Sequence, residues 1–185
     1  MENDQKAANA HSTAHDPNKC TIVLVGIMGA GKSSVGRRLA QALGIPFHDS
    51  DDEVEKAASM KIPEIFAKHG EEEFRRGESS VIKRLLDEPR MVLATGGGAF
   101  MNEATRQLMQ EKAVTVWLKA DLETLWRRVS KKGGRPLLKK QNPKQVLADL
   151  LTEREPVYAL ADYEVVSVDG PHKITVEAVR SALNI

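Results

Sequence analysis

The sequence predicts an α/β fold, a three-layer α/β/α sandwich in which helices cover both faces of a parallel sheet. After residue 19, short apolar runs rich in β-branched residues alternate with segments of helical periodicity, an order typical of parallel strands joined by crossover helices. The runs are continuously apolar, as expected for strands buried on both faces. The 185 residues favour one domain over two.

The candidate strands are five apolar runs. They lie at residues 21–25, 45–48, 91–94, 114–118 and 165–168. In a sheet of this kind, ligands bind beyond the carboxyl ends of the strands. The residues that follow each run are therefore the first place to look for a functional site.

Helical patterns fill the segments between these runs. Asp121 precedes one of them as a candidate N-cap, and Pro143 occupies the first position of another, where proline is favoured. A further helix is expected to open at Gly70, because the residues after it are acidic, as suits a helix N-terminus. The apolar positions with helical spacing are Val35, Leu39 and Leu43, then Leu122, Leu125, Trp126 and Val129, then Val146, Leu147, Leu150 and Leu151.

Composition narrows the class of protein. The 27 Lys and Arg residues balance 26 Asp and Glu residues, whereas a dedicated nucleic-acid or membrane-surface binder carries a basic excess. The apolar runs are too short for a membrane span. The single cysteine, Cys20, forms no internal disulfide, which favours a reducing cytoplasm. Residues 1–19 contain no Val, Ile, Leu or Phe, so we expect a disordered tail before a domain at 20–185.

A glycine-rich motif joins the first strand to the first helix. Residues 26–33 read Gly-Ile-Met-Gly-Ala-Gly-Lys-Ser and match the phosphate-binding P-loop pattern in its required context. Its glycines let backbone N–H groups approach phosphate oxygens at a helix N-terminus. Lys32 supplies charge for the β- and γ-phosphates, and the Ser33 hydroxyl is placed to ligate Mg²⁺. The motif predicts a nucleoside triphosphate with magnesium, a property that motors, switches and kinases share.

An acidic cluster follows the second run. Asp49 and Asp51 lie at i and i+2 of an extended segment, so their carboxylates point to the same side. One carboxylate near the magnesium and one near an attacking hydroxyl would suit phosphoryl transfer to an alcohol. The alternative is an acidic helix N-terminus, the role that we assign to Asp52 and Glu53.

Two further segments are candidates for binding the acceptor of the phosphoryl group. Arg75 lies beside an apolar stripe and three residues before Glu78, so the pair either recognises a carboxylate or forms a surface ion pair. Three glycines, Gly96, Gly97 and Gly98, end the third strand. A run of this kind lets a ligand meet bare backbone, although a flexible turn is the alternative.

The basic loop at residues 131–136 could close over the triphosphate. It forms part of an expected lid at about residues 129–142, whose Arg135 would stabilise charge on the transferred phosphoryl group. As a bare run of charge it would instead be a solvated loop. Taken alone, Arg154 is interpreted as an ion-paired surface residue.

These separated motifs together resemble the shikimate kinase family, P-loop small-molecule kinases related to the nucleoside monophosphate kinases. The resemblance extends from about residue 21 to the end of the chain. It implies a five-stranded parallel sheet of order 2-3-1-4-5 and phosphorylation of the 3-hydroxyl of shikimate by ATP, within aromatic amino-acid biosynthesis. The motifs that carry it are residues 26–33, 49–51, 70–75, 96–98 and 135–138, and Arg154 with Pro156 and Tyr158.

The resemblance also implies a role for each site residue. Lys32, Asp51 and Arg135 would be catalytic, with Asp51 the candidate base. Mg²⁺ would be held by Ser33 and, through water, by Asp49. ATP would contact Gly29, Ala30, Gly31, Lys32, Ser33, Ser34, Arg128, Arg135 and Pro171. Shikimate would contact Asp51, Arg75, Glu78, Gly96, Gly97, Gly98 and Arg154, with helices at about residues 50–80 forming much of its site.

Alternatives to shikimate phosphorylation remain open from the residues themselves. A kinase for another sugar acid, such as gluconate, needs the same kinds of groups, and the resemblance favours shikimate. A nucleotide-dependent switch without efficient transfer would lack Lys32, Asp51 or the lid arginine, and all three are present. We therefore expect a cytoplasmic, monomeric enzyme with ATP and shikimate as partners and with no nucleic-acid or membrane partner.

Overall fold

The computed structural model describes residues 15–131 and 141–185. Within them, five parallel strands form one sheet of order β2-β3-β1-β4-β5. This order confirms the predicted topology. The strands are β1 (Thr21–Val25), β2 (Phe47–Asp49), β3 (Val92–Ala94), β4 (Ala113–Lys119) and β5 (Tyr163–Val166).

Strand β1 lies at the centre of the sheet and is buried along its whole length. The side chains of Ile22, Val23, Leu24 and Val25 are 0% exposed. Because successive side chains of a strand point to opposite faces, this burial requires a cover on both faces, as the continuously apolar run predicted.

Two strands begin two residues away from the start of their apolar runs, whereas β1, β3 and β4 agree with their runs to within one residue. The run at 45–48 contains Pro46, which lacks an N–H, and β2 starts only after it, at Phe47. The run at 165–168 predicted the last strand two residues too late, since β5 is Tyr163–Val166. It is an edge strand, and Glu164 and Val166 are exposed. An edge strand needs less apolar burial than a central one, which explains the weaker sequence signal.

The helices occupy the segments where periodicity predicts them. Asp121 is an N-cap as predicted, since its carboxylate accepts from the N–H of Thr124 at 2.8 Å. Helices α4 and α7 had no separate prediction. The bounds are α1 (Lys32–Leu43), α2 (Ser50–Ala58), α3 (Ile62–Leu86), α4 (Glu103–Lys112), α5 (Leu122–Ser130), α6 (Pro143–Tyr158) and α7 (His172–Leu183), with a 3₁₀ turn at Ala99–Met101.

Helix α3 is broken at Gly70. This residue has φ 80° and ψ 176°, a non-helical conformation that separates two helical segments. The second segment opens directly after it, where the acidic first turn predicts a helix start. The break sets the direction of the segment that carries Arg75 and Glu78.

The described part of the N-terminal tail differs from its predicted disorder. Residues 15–19 form a turn, in which the N–H of Lys19 donates to the carbonyl of Asp16 at 2.9 Å. Arg90 holds this turn by donating to the carbonyls of Pro17 at 2.9 Å and Cys20 at 3.3 Å. Because backbone carbonyls supply the acceptors, this contact does not need apolar side chains, and the composition of the tail could not predict it. Residues 1–14 lie outside the described part of the chain.

Residues 132–140 also fall outside the described part, and with them Arg135 and most of the expected lid. Among the helices at 15–131 and 141–185, none combines the length and the apolar character needed to cross a bilayer.

Candidate active site

The candidate site lies at the carboxyl edge of β2, β3 and β1. These strands are neighbours in the sheet, and in a parallel sheet their carboxyl ends share one edge. The P-loop follows β1, Asp49 ends β2, and the glycines at residues 96–98 come shortly after β3. Strand order therefore brings together three motifs that are far apart in the sequence.

The P-loop curls around the side chain of Lys32. The Lys32 ammonium donates to the carbonyls of Gly26 at 2.7 Å and Ile27 at 3.1 Å and is almost fully buried. Gly29 and Gly31 have φ of 87° and 98°, values that side-chain-bearing residues rarely adopt. Gly31 is the N-cap of α1, so the loop ends where the helix offers its unpaired N–H groups to an anion. Ala30 precedes Gly31, and Ser34 lies in the first turn of α1.

The side chains of Ser33 and Asp49 meet at the first turn of α1. Ser33 Oγ donates to Asp49 Oδ2 at 2.6 Å, while Asp49 Oδ1 accepts from the N–H of Asp51 at 3.1 Å and caps α2. No cluster of three His, Cys, Asp or Glu side chains able to hold a metal occurs among the residues described. One hydroxyl and one carboxylate nevertheless suit Mg²⁺, which takes few protein ligands and fills its shell with phosphates and water.

Asp51 is largely buried and lies among other charges. Burial raises its pKa to about 6 from 3.8, helped by the negative charges of Asp49 and Glu78 and opposed by Lys32. A carboxyl group that titrates near neutral pH is suited to accept a proton from a substrate hydroxyl.

Arg75 and Glu78 form a pair inside the site rather than on the surface. Arg75 Nη1 donates to Glu78 Oε2 at 2.7 Å, and the Glu78 side chain is 2% exposed. Burial raises the pKa of Glu78 and the Arg75 charge opposes that rise. Glu71 also reaches Arg75 Nη2, at 3.5 Å. Because Glu78 is held in the interior, it fixes the direction of the Arg75 guanidinium.

The glycine run at residues 96–98 lies against these side chains. A Cβ on Gly96 would lie 2.5 Å from Glu78 Oε1 and 2.7 Å from Asp51 Oδ1, and a Cβ on Gly98 would lie 2.6 Å from both Nη atoms of Arg75. Any other residue would force these groups to shift. The run is therefore a close-packed backbone surface and not a flexible turn.

Arg154 also enters the site, which corrects its interpretation in isolation as an ion-paired surface residue. Its Nη1 donates to the carbonyl of Gly97 at 3.3 Å, and its Nε is buried without a partner within residues 15–131 and 141–185. The hydroxyl of Tyr158 donates to the same carbonyl at 2.5 Å. We call Asp51, Arg75, Glu78, Arg154 and the glycines at 96–98 the acceptor cluster.

Arg128 joins the P-loop to the segment after β5. It donates to the carbonyls of Gly29 at 3.2 Å and Val168 at 2.6 Å and to Ser167 Oγ at 3.0 Å. Ser167 Oγ in turn donates to the carbonyl of Ala30 at 2.8 Å. Pro171, the N-cap of α7, follows in the same segment, so Arg128 connects the P-loop to the segment that contains Pro171.

Comparison with known proteins identifies the family. The family model for shikimate kinase matches residues 28–184. A shikimate kinase of Caulobacter vibrioides is 61% identical over 163 residues, which cover 88% of this chain and 82% of that protein. The chain belongs to the shikimate kinase family.

Solved structures agree with the family assignment. The structure of "Shikimate kinase from Acinetobacter baumannii in complex with shikimate" is 38% identical, covers 91% of this chain and 95% of its own, and has a TM-score of 0.84. A gluconokinase from Sinorhizobium meliloti has a TM-score of 0.59 at 18% identity, with 92% and 93% covered, and shares the fold alone. As a member of the shikimate kinase family, the chain is a kinase with ATP as co-substrate, and the gluconate alternative is less supported.

The structure gives a role to three polar residues that had none predicted, and two of them, Ser50 and Tyr158, lie within the family motifs. Ser50 is fully buried and its Oγ accepts from the N–H of Gly96 at 3.0 Å. Ser167 and Tyr158 hold the carbonyls of Ala30 and Gly97. Only Tyr158 had a usable sequence signal, because it lies four residues after Arg154 and thus on the same face of a helix. The other two act across long sequence separations that no local pattern reveals.

Proposed function

We propose that this chain transfers the γ-phosphoryl group of ATP to the 3-hydroxyl of shikimate through the residues of the acceptor cluster and the P-loop. One observation carries the assignment of sites: Asp51, Arg75 and Arg154, from three different helices, converge on the glycine run beside the P-loop. The complex with shikimate in the Acinetobacter baumannii relative supports the choice of acceptor.

Each chemical feature of shikimate has a matching group in the acceptor cluster. Its carboxylate would pair with the guanidinium groups of Arg75 and Arg154, since arginine binds carboxylates with two parallel hydrogen bonds. Its ring hydroxyls would meet Asp51 and the backbone N–H of Gly97. Glu78 would keep Arg75 in place when no substrate is bound.

Asp51 is proposed as the general base. It would take the proton of the 3-hydroxyl while that oxygen forms a bond to the γ-phosphorus and the bond from phosphorus to the β-phosphate oxygen breaks, which leaves ADP. Lys32 would stabilise the negative charge on the β- and γ-phosphates from its place inside the P-loop. Because the pKa of Asp51 is about 6, the carboxylate is mostly ionised at pH 7.5 and ready to accept the proton.

Ser33 and Asp49 are proposed as the protein ligands of Mg²⁺, with Asp49 acting through water. The bound ion would neutralise part of the phosphate charge. The 2.6 Å contact between Ser33 Oγ and Asp49 Oδ2 supports this assignment, because it brings two oxygen ligands together at the end of the P-loop.

Three assignments on the nucleotide side follow the resemblance. Arg128 and Pro171 would lie on either side of the adenine, and Arg135 would contact the phosphates from the lid. The contacts of Arg128 with the P-loop carbonyls support a place beside the nucleotide. Arg135 lies outside the described residues, so its role stays a prediction from the sequence, as do the monomeric state, the cytoplasmic location and the absence of nucleic-acid and membrane partners.

The decisive experiment measures ADP release with ATP, Mg²⁺ and either shikimate or gluconate. We expect turnover with shikimate and a kcat/KM at least a hundredfold lower with gluconate. Turnover with gluconate alone would overturn the proposal, as would the absence of turnover with shikimate in a preparation that binds ATP.

The variant Arg75→Ala tests the proposed carboxylate contact. Loss of a charged hydrogen-bonded partner should weaken shikimate binding on the order of a hundredfold, while ATP affinity stays within about twofold. The matched control is Arg76→Ala, the neighbouring arginine, whose side chain is 75% exposed and pairs with Glu73. Calorimetric titration measures both affinities, and an equal loss for ATP would contradict the role of Arg75.

A further inference from the structure

Tyr158 is fixed at both ends beneath the glycine run. Its side chain, the last of α6, is 1% exposed. The ring stacks on Trp117 of β4, with centroids 6.1 Å apart and planes at 27°. The hydroxyl donates to the carbonyl of Gly97 at 2.5 Å. Tyr158 thus connects the sheet to the backbone of the acceptor cluster and touches no atom assigned to react.

The carbonyl of Gly97 controls the direction of a neighbouring N–H group. It belongs to the same planar peptide unit as the N–H of Gly98, and in a trans peptide the two point in opposite directions. The described residues contain no cis peptide bond. A hydrogen bond that holds the carbonyl toward α6 therefore turns the Gly98 N–H away from α6, at a residue that lies against the Arg75 guanidinium.

The N–H of Gly98 has no hydrogen-bond partner within the described residues. By contrast, the N–H of Gly96 donates to Ser50 Oγ, and that of Ala99 donates to the carbonyl of Gly96. The Gly98 donor beside the Arg75 guanidinium is thus available to an anionic ligand. Gly98 is half-buried, and an N–H donor beside a guanidinium suits a carboxylate.

Tyr158 also affects Arg154, because both donate to the same carbonyl. The two residues are four apart in α6 and lie on one face of it. The Arg154 bond, at 3.3 Å, is much longer than the Tyr158 bond, at 2.5 Å. Tyr158 is therefore the main partner of the Gly97 carbonyl, which leaves the guanidinium of Arg154 available to a ligand.

The hydroxyl remains a donor under all ordinary assay conditions. Burial raises the pKa of Tyr158 to about 12, although the charges of Arg154 and Arg75 oppose that rise. Below pH 10 the phenol keeps its proton, and its hydrogen bond to Gly97 does not depend on pH.

We propose that Tyr158 is a positioning residue for the substrate carboxylate, which it serves by fixing the Gly97 carbonyl so that the Gly98 N–H and the Arg154 guanidinium face that group. The inference rests on the proposed function, since the carboxylate is that of shikimate. It adds to the reaction a residue that acts only through the backbone of the glycine run and through Arg154.

The variant Tyr158→Phe tests this role, because it keeps the ring stack and removes only the hydroxyl. We expect the KM for shikimate to rise roughly five- to tenfold, the effect of one net hydrogen bond. The kcat and the KM for ATP should stay within about twofold. Tyr163→Phe is the matched control, since Tyr163 is the other tyrosine of the chain and begins β5, at the far edge of the sheet.

A neutral analogue separates positioning from general structural damage. In this analogue a hydroxymethyl group replaces the carboxylate of shikimate, and wild type and Tyr158→Phe should bind it equally weakly. An equal loss for shikimate and for the analogue would overturn the proposal, as would an unchanged KM for shikimate or a parallel loss of ADP affinity. If wild type itself fails to turn over shikimate, the proposed function fails, a result distinct from the three outcomes for Tyr158.

Discussion

The chemistry of Asp51 depends on its neighbours more than on its own side chain. An aspartate at a helix N-terminus usually has a lowered pKa, since the helix dipole favours its charge. Burial and the carboxylates of Asp49 and Glu78 outweigh that effect and raise the pKa to about 6. The adjacent Asp52 has a side chain 58% exposed. Two consecutive aspartates thus have different environments, and the environment of Asp51 suits the role of base that we propose for it.

The variant Asp51→Asn should lower kcat by roughly 10²- to 10⁴-fold, the range for loss of a general base. In wild type, kcat/KM should rise with pH up to about 6 and then level off, because the base must be deprotonated. This rise of kcat/KM with pH should vanish in Asp51→Asn and persist in the control Asp52→Asn. Initial rates between pH 5 and 8 provide the test. A pH profile of Asp51→Asn that matches that of wild type would mean that another group causes the rise.

The same residue should lower the stability of the fold. The pKa of Asp51 is higher in the folded chain than the 3.8 of an exposed aspartate, so its charge destabilises the fold fully above about pH 6 and not at all below about pH 4. Asp51→Asn should therefore unfold with a free energy roughly 1–3 kcal/mol higher than wild type at pH 8. Urea denaturation should show this difference shrinking toward pH 4. A constant difference at all pH values would point to packing rather than charge.

At the scale of elements, the break in α3 at Gly70 sets the direction of the helical segment that carries Arg75 and Glu78. The φ and ψ of Gly70 lie in a region that is open essentially to glycine alone, although a Cβ there would meet nothing within 4 Å. The acidic turn after Gly70 predicted the start of a helix. The helical segment before Gly70, which begins at Ile62, was placed only by the structure.

Substitutions at two glycines of α3 should have opposite effects. Gly70→Ala should destabilise the fold by about 1–3 kcal/mol because of its backbone conformation. Gly77→Ala should stabilise it by about 0.5–1 kcal/mol, since Gly77 is helical and a Cβ there would meet nothing within 4 Å. Thermal and urea unfolding measure both. Equal effects would mean that Gly70 relaxes into a regular helix at no cost.

At the scale of the whole molecule, the sheet order decides which motifs meet. The neighbours β2, β3 and β1 place Asp49, the glycine run and the P-loop at one edge. Helices α3 and α6 then supply Arg75 and Arg154 from segments that lie nearly 80 residues apart. Because the proposed binding residues lie on these separate elements, shikimate should stabilise the whole domain.

Shikimate at 100 times its dissociation constant should add about 2.7 kcal/mol to the free energy of unfolding. For a domain of this size that corresponds to a rise in Tm of roughly 5–10 °C. Arg75→Ala is expected to bind shikimate about a hundredfold more weakly. At the same shikimate concentration it should gain only about 0.4 kcal/mol in the free energy of unfolding, which is a rise in Tm of about 1 °C. Differential scanning calorimetry measures the rise in Tm of wild type and of Arg75→Ala. An equal rise in the two proteins would contradict the proposed role of Arg75.

Local sequence patterns were sufficient to predict the P-loop and most of the strands and helices. The P-loop is contiguous, so its glycines, Lys32 and Ser33 predict their own arrangement. The runs at 45–48 and 165–168 misplaced β2 and β5 by two residues each, because a proline and an edge position weaken the pattern. The acidic pair and the glycine run were recognisable as candidates, and their alternatives could not be rejected from spacing alone.

The sequence by itself determined the fold class, the phosphate-binding loop and, through its motifs, the family. The resemblance placed Arg154 and Glu78 at the site. Only the tertiary structure decided which groups they contact, that Glu78 is buried, and that Tyr158, Ser50 and Ser167 hold the backbone of the loops. The physical reason is the range of the interactions. Backbone conformation and periodicity act over a few residues, whereas burial and hydrogen bonds across 40 to 140 residues exist only once the strands are paired.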